Sequence, residues 1–194
     1  MVTPAIQKGG EQAKSMNHPH REVVVISDFQ RISWLPEEAG QRNRVAGQIA
    51  AMELPPNLTL FHVGTDAGQG QRMKVVNNAL CISAYVTTSE ALAYGESGGL
   101  AIDTMLEVLN ASSGQNFSTS EIFPKYIATG DYDASGADAH ILEKDLGLFV
   151  DGAKAEGSAS AVIAKAYEIV AAFAEADPQQ DQMRIYPFVR NGVV

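Results

Sequence analysis

The chain has 194 residues, 20.7 kDa and 45% hydrophobic side chains, enough to bury a core in one large domain or two small ones. Fourteen Lys and Arg against 23 Asp and Glu leave a net charge of −9 and a pI near 4.8, so neither a nucleic-acid backbone nor an anionic membrane surface is an expected partner. A single cysteine, Cys81, excludes an internal disulfide and a cysteine-based zinc centre, and no metal is expected. No apolar run reaches the ~18–20 residues of a membrane span, and the opening MVTPAIQKGGEQAK lacks the apolar segment of a signal peptide, so the expected compartment is the cytoplasm.

Residues 1–20 combine Pro4, Gly9, Gly10, Pro19 and polar side chains without an apolar period, which predicts a disordered tail. His18 and His20 within it read as tail residues rather than metal ligands. Next comes VVVI, a β-branched run ended by Ser27 and Asp28, as in a strand buried on both faces and paired in parallel. Asp28 reads as a loop or capping residue. After Pro36 a segment with acids in its first turn runs to Pro55 and Pro56, as a helix would, and LTLFHV at 58–63 is a second strand. Residues 21–66 are thus a partial α/β segment, strand–helix–strand, too small to stand alone.

From Gln69 the pattern changes. Residues 69–97 contain no proline, and Met73, Val76, Leu80, Ala84, Thr87, Ala91 and Leu92 recur at helical spacing, which predicts one long helix with that face inward and a stop at Gly98 and Gly99. Further helices are predicted over 103–109, 118–127, 137–156 and 158–176, with the loop Asn110–Gln115 read as a capping loop. The aromatics of RIYPFVRNG either pack on the chain's own helices or mark an interface. The expected class is α+β overall, a short N-terminal α/β segment followed by a mainly helical domain over 67–194.

The densest group of chemically able residues is Gly68, Gly70, Lys74, Asn77 and Asn78 at the start of the long helix. Lys74 and Asn78 are four residues apart, so an amine and a carboxamide share one helix face, with small residues before them that allow close approach. Read without further context, these are ordinary solvated helix residues. Lys144 beside Asp145 is likewise most simply a surface ion pair.

GQGQRMKVVNNAL, TSEALAYGESGGL, TMLEVLNASSGQN, KDLGL and PQQDQMRIYPFVR resemble, in that order, the C-terminal domain of the β-hydroxyacid dehydrogenases, the 3-hydroxyisobutyrate dehydrogenase family, over about 61–192. The resemblance implies a 6-phosphogluconate dehydrogenase C-terminal-like helical domain that follows a Rossmann domain and supports homo-oligomers. It further implies oxidation of a small hydroxy acid with NAD or NADP. On the family's Gly-x-Gly-x-x-x-Lys-x-x-x-Asn pattern, Lys74 is the implied acid/base at the hydroxyl and Asn78 holds the substrate, with Gly70 and Asn77 beside it. Lys144 is implied to reach the cofactor. The chemistry suits these residue types: the hydroxyl must lose a proton as the carbonyl forms, and lysines serve as bases where burial and nearby positive charge bring the pKa down from ~10.4.

The sequence also departs from the family. No strand runs into Gly-x-Gly-x-x-Gly, the turn that holds a dinucleotide pyrophosphate. Residues 22–63 instead resemble, over a short stretch, the later part of a von Willebrand factor A-like domain, without its Asp-x-Ser-x-Ser metal loop. Two further functions therefore stand beside the dehydrogenase: a non-catalytic helical oligomerisation or interaction domain, and a von Willebrand factor A-like binding module.

Overall fold

The computed structural model describes residues 23–27, 58–63 and 68–192. The expected disordered tail, Asp28, His18, His20 and the helix after Pro36 lie outside the described residues. The chain divides into two compact units, 1–74 and 75–194, each taken here by itself.

In the first unit, strand β1 (Val23–Ser27) pairs in parallel with β2 (Leu58–His62), Val23 opposite Leu58 and Ser27 opposite His62. Val, Ile, Leu and Thr are the residues that extended backbone favours, and the parallel pairing matches the expectation from the β-branched run. Beyond these strands the described chain is helical. Helix α1 (Gln69–Ser97) begins in the first unit and continues through the boundary into the second. It is followed by α2 (Ile102–Asn110), a π-helical turn (Ser118–Ile122), α3 (Phe123–Tyr126), α4 (Ala139–Glu156), α5 (Ala161–Ala176), a 3-10 turn (Gln182–Arg184) and α6 (Ile185–Arg190).

The predicted stop of α1 is realised at Gly99, whose φ of 87° is left-handed backbone that a residue with a Cβ rarely adopts. The N–H of Leu100 donates to Gly95 O at 3.0 Å and that of Gly99 to Glu96 O at 2.9 Å, so the last turn's carbonyls are satisfied. The helix predicted over 118–127 forms as two pieces. Pro124 has no N–H to return to the preceding turn, and Phe123 N–H bonds Ser118 O, five residues back, as a π turn requires.

The inward face of α1 differs from the one its spacing suggested. Of that set only Leu92 is buried, at 1% exposure, whereas Met73, Leu80 and Tyr94 stand 38, 65 and 83% exposed. The buried face is Ala79, Ile82, Tyr85, Val86, Ser89 and Leu92. Apolar residues occur on several sides of this helix, so period alone selects no face. The true face also carries two hydroxyls, Thr88 and Ser89, and Ser89 Oγ donates to Tyr85 O of its own helix at 2.7 Å, which lets it sit in the core.

The core of the second unit joins this face to Leu106, Phe123, Ile127, Leu142, Leu146, Val170, Phe173 and Met183. The C-terminal aromatics belong to it. Ile185 and Tyr186 are fully buried, Tyr186 meets Phe123 edge-on at 6.2 Å, and Phe188 meets Phe173 at 5.3 Å. Of the two fates open to IYPF, packing on its own helices is the one observed, and Ile185 and Tyr186 are not interface residues. Tyr186 Oη donates to Glu96 at the end of α1, and Arg190 Nε lies 3.1 Å from the same carboxylate. Asp181 anchors the approach to α6: its two oxygens accept from Ser135 N and Oγ at 2.8 and 2.7 Å, from Gly136 N at 3.2 Å and from Met183 N at 2.8 Å.

Burial pushes the hydroxyls of both core tyrosines up: Tyr85 chiefly by desolvation and then by Cys81, Tyr186 chiefly by desolvation and then by its bond to Glu96. Unfolded tyrosines ionise near ~10, while these two keep their protons in the folded chain, so their contribution is constant below that pH and is lost as pH rises through it. Tyr186→Phe should cost ~1–3 kcal/mol at neutral pH, by loss of a bond to a charged acceptor, and should flatten the decline in stability above pH ~10. Thermal denaturation as a function of pH reads both effects, and an unchanged alkaline slope would count against this assignment.

Candidate active site

The candidate residues sit on α1 and α4. Gly68, with φ 88°, precedes the helix, and its carbonyl accepts from Arg72 N at 2.8 Å. Gly70 lies in the first turn, and Lys74, Asn77 and Asn78 follow without interruption. Lys74 and Asn78 are therefore separated by one helical turn on a continuous backbone. Lys74 and Asn77 are exposed and Asn78 is half-buried.

The structure adds a partner that spacing could not supply. Asn78 Nδ2 donates to Asp145 Oδ2 at 2.7 Å, and Lys144 Nζ lies 3.1 Å from Asp145 Oδ1. Asn77 Nδ2 in turn donates to Asn78 Oδ1 at 3.3 Å. Two motifs 67 residues apart in sequence thus form one polar chain, Asn77–Asn78–Asp145–Lys144, whose carboxylate is flanked by an amide and an ammonium.

Helix α4 presents its motif by simple rotation. Lys144 is 60% exposed and Asp145 13% by side chain, Leu146 is fully buried, and Leu148 is 49% exposed. Gly147 faces α5: a Cβ there would lie 3.2 Å from Tyr167 Cε2, so the glycine permits close approach of the two helices. Within Lys-Asp-Leu-Gly-Leu, Lys144 and Asp145 make polar contacts, Leu146 enters the core and Gly147 meets α5.

The loop after α2, expected only to cap, does more. Asn110 Nδ2 donates to Thr119 O at 2.8 Å, Asn116 Oδ1 accepts from Ser118 N and Thr119 N at 2.8 and 3.2 Å, and Asn116 Nδ2 donates to Thr88 Oγ1 on α1 at 3.3 Å. Asn116 caps the π turn and ties it to the long helix at once. Its signal in sequence was an Asn ahead of Ser and Thr, a common capping pattern with no indication of the distant partner.

Among the described residues, no group of three or more His, Cys, Asp or Glu could hold a metal ion, and no helix is long and apolar enough to cross a membrane.

Residues 68–189 match a family model described as the NAD-binding of NADP-dependent 3-hydroxyisobutyrate dehydrogenase. The 2-(hydroxymethyl)glutarate dehydrogenase of Eubacterium barkeri is 37% identical over 95 residues, 49% of this chain and 31% of that protein. The 3-hydroxyisobutyrate dehydrogenase of Pseudomonas aeruginosa is 33% identical over 128 residues, 63% of this chain and 42% of that one. Among solved structures, the Mycobacterium tuberculosis 3-hydroxyisobutyrate dehydrogenase with L-serine superposes with a TM-score of 0.65 at 25% identity, over 77% of this chain and 52% of that one. The proteins matched are dehydrogenases of β-hydroxyacids, a class that uses NAD or NADP. The chain belongs to the 3-hydroxyisobutyrate dehydrogenase family. It spans less than half the length of the curated relatives it matches.

Lys144 is 60% exposed while its partner Asp145 is 13% exposed and keeps its bond to Asn78, so Lys144→Ala should cost about 1 kcal/mol and shift the thermal midpoint by no more than ~3 °C. A larger loss in differential scanning calorimetry would make Lys144 a structural residue and weaken any role for it in ligand binding.

Proposed function

We propose that residues 67–194 are the 6-phosphogluconate dehydrogenase C-terminal-like, substrate-side domain of a dehydrogenase that oxidises a small hydroxy acid with NAD or NADP. The observation that carries this reading is Lys74 one turn before Asn78 on an unbroken helix, inside the segment that matches the family model. Lys74 Nζ accepts the proton of the substrate hydroxyl and returns it in the reverse direction. Asn78 orients the hydroxyl without adding a competing charge, and Asn77 and the small Gly70 border the same helical turns. The dinucleotide, when bound, supplies the acceptor for the hydride that leaves the hydroxyl-bearing carbon. The donor set on this chain fits one edge of such a ligand: Lys144 offers an exposed cation. A homo-oligomer formed through the helical domain belongs to the same reading, with Leu80 and Tyr94 exposed on α1 as apolar surface available to it.

A second reading, a non-catalytic helical interaction domain, is favoured by one observation: Leu80 and Tyr94 stand 65 and 83% exposed on α1. A von Willebrand factor A-like module rests on the β1–β2 segment alone and ranks below both.

Two measurements test the first of these. In a form complemented with a cofactor-binding domain, Lys74→Ala should lower kcat by ~100-fold or more and change KM less, as for loss of a general acid/base. Equal changes in both would indicate a binding role. In calorimetric titration the chain should bind NAD or NADP more weakly than micromolar, since most pyrophosphate affinity comes from a glycine turn at a helix N-terminus. Micromolar binding would show that the residues present suffice for the cofactor.

A further inference from the structure

The polar chain between α1 and α4 assigns a role to Asp145, which neither the family match nor the sequence pattern supplies. Asp145 is 13% exposed, with Oδ2 on Asn78 Nδ2 at 2.7 Å and Oδ1 3.1 Å from Lys144 Nζ. An ionised carboxylate has no hydrogen to give, so only the NH2 side of a carboxamide can face it. The reversed rotamer would set Asn78 Oδ1 against Asp145 Oδ2, two acceptors in contact. The bond from Asn77 Nδ2 to Asn78 Oδ1 at 3.3 Å agrees with the same orientation from the other side.

We propose that Asp145 is a positioning residue that fixes the Asn78 carboxamide with its oxygen outward, as a hydrogen-bond acceptor for a hydroxyl-bearing ligand. The ligand half of this proposal rests on Asn78 touching substrate, as in the function proposed above. An amide oxygen has two lone pairs, and Asn77 engages one of them, at 3.3 Å. The remaining one accepts from a hydroxyl or ammonium and disfavours a carboxylate, so a hydroxy acid is oriented with its hydroxyl, not its carboxylate, at Asn78. A free asparagine rotates its amide to suit either group; one held by an anion does not. Lys144 balances the charge of that anion without competing for the oxygen that Asn78 uses.

The full chain in solution tests this by the side-chain NH2 signals of Asn78 in a proton–nitrogen correlation spectrum, identified by their loss in Asn78→Ala. The pair should be displaced from the usual asparagine region. Asp145→Asn, which keeps size and polarity, should return it to that region, and Asp145→Glu should keep part of the displacement, with circular dichroism confirming the fold. A displacement that persists in Asp145→Asn, or none in the wild type, overturns the positioning.

The second readout is ligand choice, with 3-hydroxyisobutyrate and isobutyrate as probes. The wild type should prefer the hydroxylated acid by ~10-fold, the worth of one well-made bond to an oriented group, and the preference should collapse in Asp145→Asn. A preference that survives while the amide signal is lost overturns the ligand half. A chain that binds neither acid, yet whose Asn78 amide follows Asp145, would overturn the ligand half and leave the positioning in place.

Discussion

Helix α1 is the member to which the 110–119 segment, α3, α4 and α6 are each tied by a named contact. At 29 residues it is about 44 Å long, and successive turns are claimed by different partners. Asn78 is held by Asp145 of α4, Tyr85 packs against Phe123 of α3 at 6.5 Å, Thr88 receives Asn116, and Glu96 receives Tyr186 and Arg190 of α6. An isolated helix gains little stability from propensity, so this one is ordered by what lies along it. The contacts are of two kinds: apolar burial in the middle of the helix, and charged or amide groups toward its two ends.

Side chains on regular elements are held more closely than those on loops. Asp145 holds Asn78 from a second helix, and Gly147, two residues further along the motif, lets that helix sit close to α5. Lys144 and Asn78 lie on regular elements, while the Asn110 and Asn116 amides tie the end of α2 to the π turn and that turn to α1.

The sequence made the succession of helices legible because each boundary has a local cause: Gly99 at the end of α1, Asp103 in the first turn of α2, Gly157 after α4, Pro178 beyond α5. The parallel strand pair was legible for the same reason, in an unbroken β-branched run. What failed was the choice of face. Met73, Leu80 and Ala91 have the right period, but so do Ala79, Ile82 and Val86, and the choice depends on where Phe123, Leu106 and Tyr186 arrive, far along the chain. The buried Thr88 and Ser89 made the true face look more polar than it is. Of the candidate site, the Lys74–Asn78 spacing could be read directly. The Asn78–Asp145 bond could not, because nothing local to either residue names the other.

Tyr186 closes the core against a helix that ends ninety residues earlier in the chain, at Glu96. At ~5–20 residues per second on the ribosome, roughly 5–20 s separate the synthesis of Glu96 from that of Tyr186, although Phe123 is available to Tyr85 well before then. Burial of this core is therefore completed only when the C-terminal segment has been made. Substitutions in α6 should consequently be felt first as a lower yield of soluble chain, before any change in the finished molecule.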